Sequence, residues 1–167
     1  MEDLISIVDL KKHPINDYRY INKCNVIIKK NSLLVLENFL TKNSLKIILN
    51  EAKSLEKKAF YCKQKHTILL NKHSDKLDKK DPLNELMISD KGCIPHDMLN
   101  TKSDLNILYN SICFQNFIKK ILNLDNIYPY LDNLSSININ YYQKNQQLGW
   151  HFDNASFAIT LMIQASP

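Results

Sequence analysis

His151-Phe152-Asp153 is the tripeptide whose residue types and spacing point most directly to chemistry. In extended backbone, side chains two apart leave the same face of the strand. An imidazole and a carboxylate placed that way can take adjacent positions on one metal ion. With a third ligand from another strand they would form a two-histidine, one-carboxylate face, which keeps coordination positions open and suits non-haem Fe(II). The plainer alternative is a turn, with Asp153-Asn154 capping something local and His151 a satisfied surface or core histidine. A second constellation, Cys62-x3-His66 with Cys93-x2-His96, has the ligand count of a structural zinc site but irregular spacing. The plainer alternative there is two buried thiols and two surface imidazoles.

These residues need elements to hold them. From residue 135 onward the apolar period is 2. Ser136–Tyr142 reads as a strand with Asn138 and Asn140 on one face and Ile137 and Ile139 on the other. A polar turn, Gln143–Gln147, leads to Leu148–Asn154, which carries the His-Asp pair at the start of another strand. Phe157–Ile163 reads as a further strand. Before that the period is helical. A helix is expected over 16–30, capped by Asn16 or Asp17 and stopped at Asn31, and another over 44–58 with the stripe Leu45, Ile48, Leu49, Ala52 and Leu55. Ser103–Asn110 and Cys113–Leu122 read as two short helices, the second with Phe114, Phe117, Ile118 and Ile121 on one face. Thr67–Leu70 reads as a strand inside the Lys-rich stretch 61–82, followed by a mobile surface loop. That loop is either plainly solvated, the favoured reading, or a lid over substrate. Asp90-Lys91-Gly92-Cys93 has the composition of a turn.

Composition narrows the class. With 167 residues, 44% of them hydrophobic and 23% charged, the chain suits a single globular domain over 1–167, mainly helical to 127. No run approaches the roughly 18 apolar residues of a membrane span. The acidic start Met1-Glu2-Asp3-Leu4 is unlike a secretion signal. The four cysteines form no C-x-x-C pair, so reduced thiols in the cytoplasm are expected. A net charge of +5 hints at nucleic acid, but Arg19 is the one arginine, and bidentate phosphate or base recognition favours Arg. Two glycines are too few for the tight turns of a complete small β-barrel, although Asn can replace Gly at some of them. The expected class is α+β, with helices followed by part of a β-fold.

From Asn140 to Asp153 the chain reads N-x-Y-x8-H-x-D. This resembles the iron(II)- and 2-oxoglutarate-dependent oxygenases, whose double-stranded β-helix, a cupin-like jelly-roll, carries H-x-D in such a place. The members that repair alkylated nucleic acids share the N-x-Y spacing. The closer resemblance is to bacterial small-molecule members of the amino-acid hydroxylase and halogenase type. It rests on Ser135–Tyr142, on Gln146-Gln147-Leu148-Gly149-Trp150-His151-Phe152-Asp153-Asn154 and on Phe157–Gln164. Tyr128-Pro129-Tyr130, Ser89-Asp90-Lys91-Gly92-Cys93 and the helical run 16–58 look similar as well.

The resemblance implies N-terminal helices packed on the first strands of the β-helix, which occupy 128–167. It makes His151 and Asp153 ligands of Fe(II), and Asn140, with Tyr142 as a weaker candidate, a hydrogen-bonding partner of 2-oxoglutarate. Trp150 and Asn154 flank the metal pair as candidate substrate contacts. For Trp150 core packing stays open, and for Asn140 a strand-end hydrogen bond. The implied activity is O2-dependent hydroxylation of a small molecule, a free amino acid being one candidate, with release of succinate and CO2. Asp153 fills the position that halogenases of this type leave to a small residue, so hydroxylation is expected rather than halogenation. The family's distal histidine, its basic 2-oxoglutarate partner and its glycine-rich turn have no counterpart here. The barrel is therefore expected to be incomplete, as in an N-terminal fragment or truncated product, and inactive by itself. The alternatives are a non-catalytic remnant or binding module of the same fold and, less favoured, a nucleic-acid demethylase.

Overall fold

Short polar side chains mark where the helices begin. The structure, a computed structural model, describes residues 2–78, 80–132 and 134–165. It is a mixed α+β arrangement whose elements are α1 (Glu2–Ile5), α2 (Tyr18–Asn31), α3 (Lys42–Leu55), β1 (Phe60–His66), β2 (Met87–Pro95), α4 (Asp104–Asn110), α5 (Ile112–Ile121) and β3 (Asn138–Tyr141). Asp17 caps α2 by accepting from the Tyr20 amide at 2.8 Å. The Thr41 hydroxyl accepts from the Ser44 amide in the first turn of α3, and Ser103 and Ser111 cap α4 and α5. The chain divides into two compact units, Met1–Lys53 with Pro95–Ile137, and Ser54–Ile94 with Asn138–Pro167.

The first unit is built on the apolar stripes of its helices. α5 turns Phe114, Phe117, Ile118 and Ile121 inward, and α2 packs on it through Ile21 and Cys24. Tyr20 stacks on Phe117 with ring centroids 6.2 Å apart. Asn25 of α2 donates to the Ile121 carbonyl at 2.7 Å, which satisfies an acceptor that the end of α5 would leave open. Buried His13 donates from Nε2 to the Glu37 carbonyl and accepts at Nδ1 from the Tyr20 hydroxyl. Burial raises the Tyr20 phenol above its ordinary value, which keeps that hydroxyl a donor.

The second unit is built on the sheet, in the order β1-β2-β3. β1 and β2 are antiparallel, with Phe60 opposite Cys93, Cys62 opposite Lys91, Gln64 opposite Ser89 and His66 opposite Met87. Alternation places these residues on one face. On the other, the Tyr61 ring lies over Gly92, where a Cβ would come within 2.7 Å of it.

Several expectations are corrected here. Asp90–Cys93 is the interior of β2, not a turn. Gly92 serves the close approach of Tyr61 rather than a positive φ, and the backbone groups of Asp90 are ladder-bonded. The strand near residue 65 is Phe60–His66, and Thr67–Leu70 is a turn closed by the Leu70 amide on the Thr67 carbonyl at 2.9 Å, with Leu70 at φ 59°. Two of the three strands thus lie within the stretch expected to be mainly helical. Only β3 falls in 128–167, and Phe157–Ile163 carries no ladder among the described residues. An apolar period of 2 selects extended backbone, but a strand also requires a partner for its amides. Of the cationic stretch, Lys79 lies outside the described residues. The part around it is organised by buried Asn84, which accepts from the Ser74 amide and donates to the Ser74 carbonyl. Asn does replace Gly at turns, since Asn38, Asn123 and Asn145 all have positive φ.

Candidate metal centre

The segment that carries the His-Asp pair is laid along β2 by its backbone. Asp90 and Gln147 exchange amide–carbonyl hydrogen bonds at 2.7 and 3.1 Å, and the Gln146 side chain donates from Nε2 to the Asp90 carboxylate at 2.8 Å. The Gly149 amide donates to Ser89 Oγ at 3.0 Å. Gly149 is buried against β2 so closely that a Cβ would stand 2.8 Å from the Ile88 carbonyl oxygen. Three residues on, the Phe152 amide donates to the Ile68 carbonyl at 2.8 Å. Residues 148–153 are therefore a pinned loop beside the sheet, not the start of a strand.

Within this loop the two side chains converge. His151 Nε2 lies 3.4 Å from Asp153 Oδ1, with the imidazole side chain 17% exposed and the carboxylate 56%. His151 Nδ1 is 2.7 Å from the Gly149 carbonyl oxygen. A carbonyl only accepts, so Nδ1 carries a proton; Nε2 then faces the carboxylate as a lone pair when the ring is neutral and as an ion-pair partner when it is protonated. Two lone-pair donors that close repel each other unless a cation or a proton lies between them. A span of 3.4 Å is one that a single metal ion at the usual ligand distance of about 2 Å can bridge. The backbone carbonyl on the other ring nitrogen is a typical outer partner of a metal-binding histidine.

Three residues on one face of the β1–β2 pair bear on this loop or on the other candidate residues, namely His66, Ser89 and Lys91, of which the spacing marks only His66, as part of the zinc constellation. His66, expected as a surface imidazole, is buried, and its ring meets the His151 ring edge-on at 5.7 Å. Its Nδ1 is 2.9 Å from the Thr67 carbonyl and its Nε2 2.7 Å from Ser89 Oγ. Lys91 extends from the same face of the sheet as Ser89 and donates from Nζ to Asn140 Oδ1 at 2.9 Å. The signal that could have found them is period-2 alternation through 60–66 and 87–95, obscured by the Lys-rich composition and by the turn-like Asp-Lys-Gly.

The remaining candidates fall on two surfaces. Asn140, on β3, faces Lys91, and neighbouring Asn138 accepts a weak hydrogen bond from Cys93. Burial, and secondarily Cys93, raises the Tyr142 phenol above its ordinary value, so the hydroxyl remains a donor across the neutral range. Phe60, Cys62, Gln64, Ser89, Lys91 and Cys93 line a shallow cavity of about 200 Å³ on this face. Trp150 is 70% exposed, with its ring edge-on to Phe152, so it is not a core residue. Asn154 is exposed in the bend that follows Asp153. The zinc constellation is not assembled. His66 is saturated as described, and both ring nitrogens of His96 are engaged within its own unit, by Ser136 and by Asn106. Among the described residues no group of three or more His, Cys, Asp or Glu that could hold a metal ion converges, so His151 and Asp153 stand as a pair. All four cysteines are free.

Compared with protein-family models, with curated proteins and with solved structures, the chain gives no match in any of the three. Among the described residues no helix is long and apolar enough to cross a membrane.

Proposed function

We propose that this chain carries the metal-binding region of a non-haem Fe(II)- and 2-oxoglutarate-dependent oxygenase built on a double-stranded β-helix, acting on a small molecule. The observation that carries the reading is the His151–Asp153 pair, with Nε2 3.4 Å from Oδ1 and the ring proton held on Nδ1 by the Gly149 carbonyl. When bound, Fe(II) with 2-oxoglutarate supplies the oxidation of a substrate C–H bond by O2, giving the alcohol, succinate and CO2.

The residues of this chain contribute binding and orientation. His151 Nε2 and Asp153 present one neutral and one anionic donor on the same side of a pinned loop, a set suited to a divalent cation that keeps open positions. On the sheet face, Lys91 accounts for one ammonium hydrogen with Asn140 and keeps the others for an anion, while the Asn140 amide NH2 remains a donor. With the protonated Tyr142 hydroxyl, these groups form a donor surface for a carboxylate such as that of 2-oxoglutarate. Exposed Trp150 and Asn154 flank the pair on the side open to a substrate. Asp153 keeps a carboxylate where a halide would otherwise bind, which favours hydroxylation.

Calorimetric titration of the full chain with Mn(II) in place of Fe(II), with 2-oxoglutarate present, tests the reading. His151→Ala and Asp153→Ala are each expected to weaken binding at least tenfold, and succinate production, where present, to vanish with them. Equal Mn(II) affinity in the native chain and both variants would overturn the proposal.

A further inference from the structure

With the imidazoles neutral, the hydrogen bonds behind His151 have one consistent direction. The Gly149 amide can only donate, so Ser89 Oγ accepts it and must send its own proton elsewhere. The Thr67 carbonyl can only accept, so the His66 proton sits on Nδ1, and His66 Nε2 of the neutral ring must accept. The proton of Ser89 therefore goes to His66 Nε2, at 2.7 Å. The same peptide segment is held at its other polar atom, since the Gly149 carbonyl accepts from His151 Nδ1. The result is one chain of donors running from Gly149 through Ser89 and His66 to Thr67, with Gly149 as the residue through which it reaches His151. His66, Thr67 and Gly149 are buried, so water is poorly placed to substitute for any link.

We infer that Ser89 and His66 are positioning residues for His151, fixing the Gly149 carbonyl so that His151 keeps its proton on Nδ1 and offers Nε2 to a cation. The inference rests on the metal reading for its purpose, but the arrangement itself can be measured without metal. Removing the Ser89 hydroxyl leaves the Gly149 amide and His66 Nε2 without partners in a buried place, and between the ties at Gln147 and Phe152 the 149–151 segment loses its side-chain hydrogen bond to β2. Ser89→Thr keeps the hydroxyl and is expected to restore the arrangement.

The experiment is nitrogen-15 NMR of the histidine rings in the metal-free full chain, with hydrogen exchange at the Gly149 amide, followed by Mn(II) titration. The native chain and Ser89→Thr are expected to show His151 with its proton on Nδ1 and a protected Gly149 amide. Ser89→Ala is expected to show a mixture of His151 tautomers, Gly149 exchange at least tenfold faster, and Mn(II) affinity about tenfold weaker, within the range typical of lost outer-shell partners. Should Ser89→Ala unfold the sheet, Ser89→Cys retains the volume with a poorer acceptor and must move each readout in the same direction. An unchanged His151 tautomer and Gly149 protection in the folded variant would overturn the inference. A relay that behaves as described in a chain that binds no Mn(II) would leave the inference standing and remove the metal reading instead.

Discussion

The two units of this protein are held together by different physics. Among the described residues, every fully buried apolar side chain except Ile94 belongs to the helical unit, including Leu4, Ile7, Ile48, Leu108 and Phe117. Each such side chain stabilises by about 1.5–3 kcal/mol. Among the described residues of the sheet unit, the buried side chains besides Ile94 are polar, namely His66, Thr67 and Asn84, each with hydrogen-bond partners, and the other buried residues are Gly92 and Gly149. A typical hydrogen bond contributes a net of about 0.5–1.5 kcal/mol, so this unit rests on many small directional terms. The lesson is one of division of labour: apolar burial tolerates no ligand, whereas a polar sheet face with a pinned loop beside it can present donors to one.

The largest effect expected from this contrast is in the helical unit. Phe117 is 1% exposed and stacked against Tyr20. Phe117→Ala leaves a cavity between α2 and α5 and is expected to cost about 3–5 kcal/mol. Urea unfolding followed by helical circular dichroism reads it as a lowered midpoint. A loss below about 1 kcal/mol would mean that the helices are held by something other than this core.

A smaller but more localised effect is expected at Gly149. An added methyl would meet the Ile88 carbonyl at 2.8 Å and Met87 Cβ at 2.9 Å, and both belong to β2. Gly149→Ala must push the loop off the strand, at about 1–3 kcal/mol. Because the His151 ring is tied to that residue's carbonyl, Mn(II) affinity is expected to fall more steeply than stability does. If stability falls while affinity holds, the loop is a structural edge and the comparison between the units loses its functional half.

How much of this was legible in advance follows the same division. The helices were, since Asp17, Ser103 and Ser111 are cap residues before amphipathic runs, and the stripe Phe114, Phe117, Ile118, Ile121 is the observed core face of α5. The sheet was legible only at β3, where Asn138 and Ile139 alternate. β1 and β2 were hidden because Lys63 and Lys65 on one face and Gln64 and Lys91 on the other leave neither face a continuous apolar alternation, and Gly92 mimics a turn residue while serving the close approach of a tyrosine ring. Of the site, the proximity of His151 and Asp153 was legible from spacing. The proton position on His151 was not, because it follows from the Gly149 carbonyl, and Gly149 is held by Ser89, about sixty residues earlier by number, through a folded contact that spacing does not reveal.

The smallest expected effect concerns an exposed turn of the helical unit, and it tests whether polar caps there act as independently as the core argument requires. Asp132 accepts from the Leu134 amide at 2.9 Å and from the Ser135 hydroxyl at 2.7 Å. These hydrogen bonds, the amide first, hold its carboxyl below the ordinary value of 3.8. A lowered value in the folded state means that the ionised form is the one the turn favours. Its contribution is present above the ordinary value and is lost as pH falls through the lowered one. Carbon-13 titration of the side-chain carboxyl, together with the Leu134 amide shift, is expected to show one shared midpoint under 3.8. Asp132→Asn should abolish the pH dependence of the Leu134 shift while leaving the urea midpoint of the helical unit nearly unchanged, because the turn is open to solvent and far weaker than the apolar core. A midpoint at or above the ordinary value would show that the cap does not form, and a large loss of stability would show that this unit too depends on directional polar contacts.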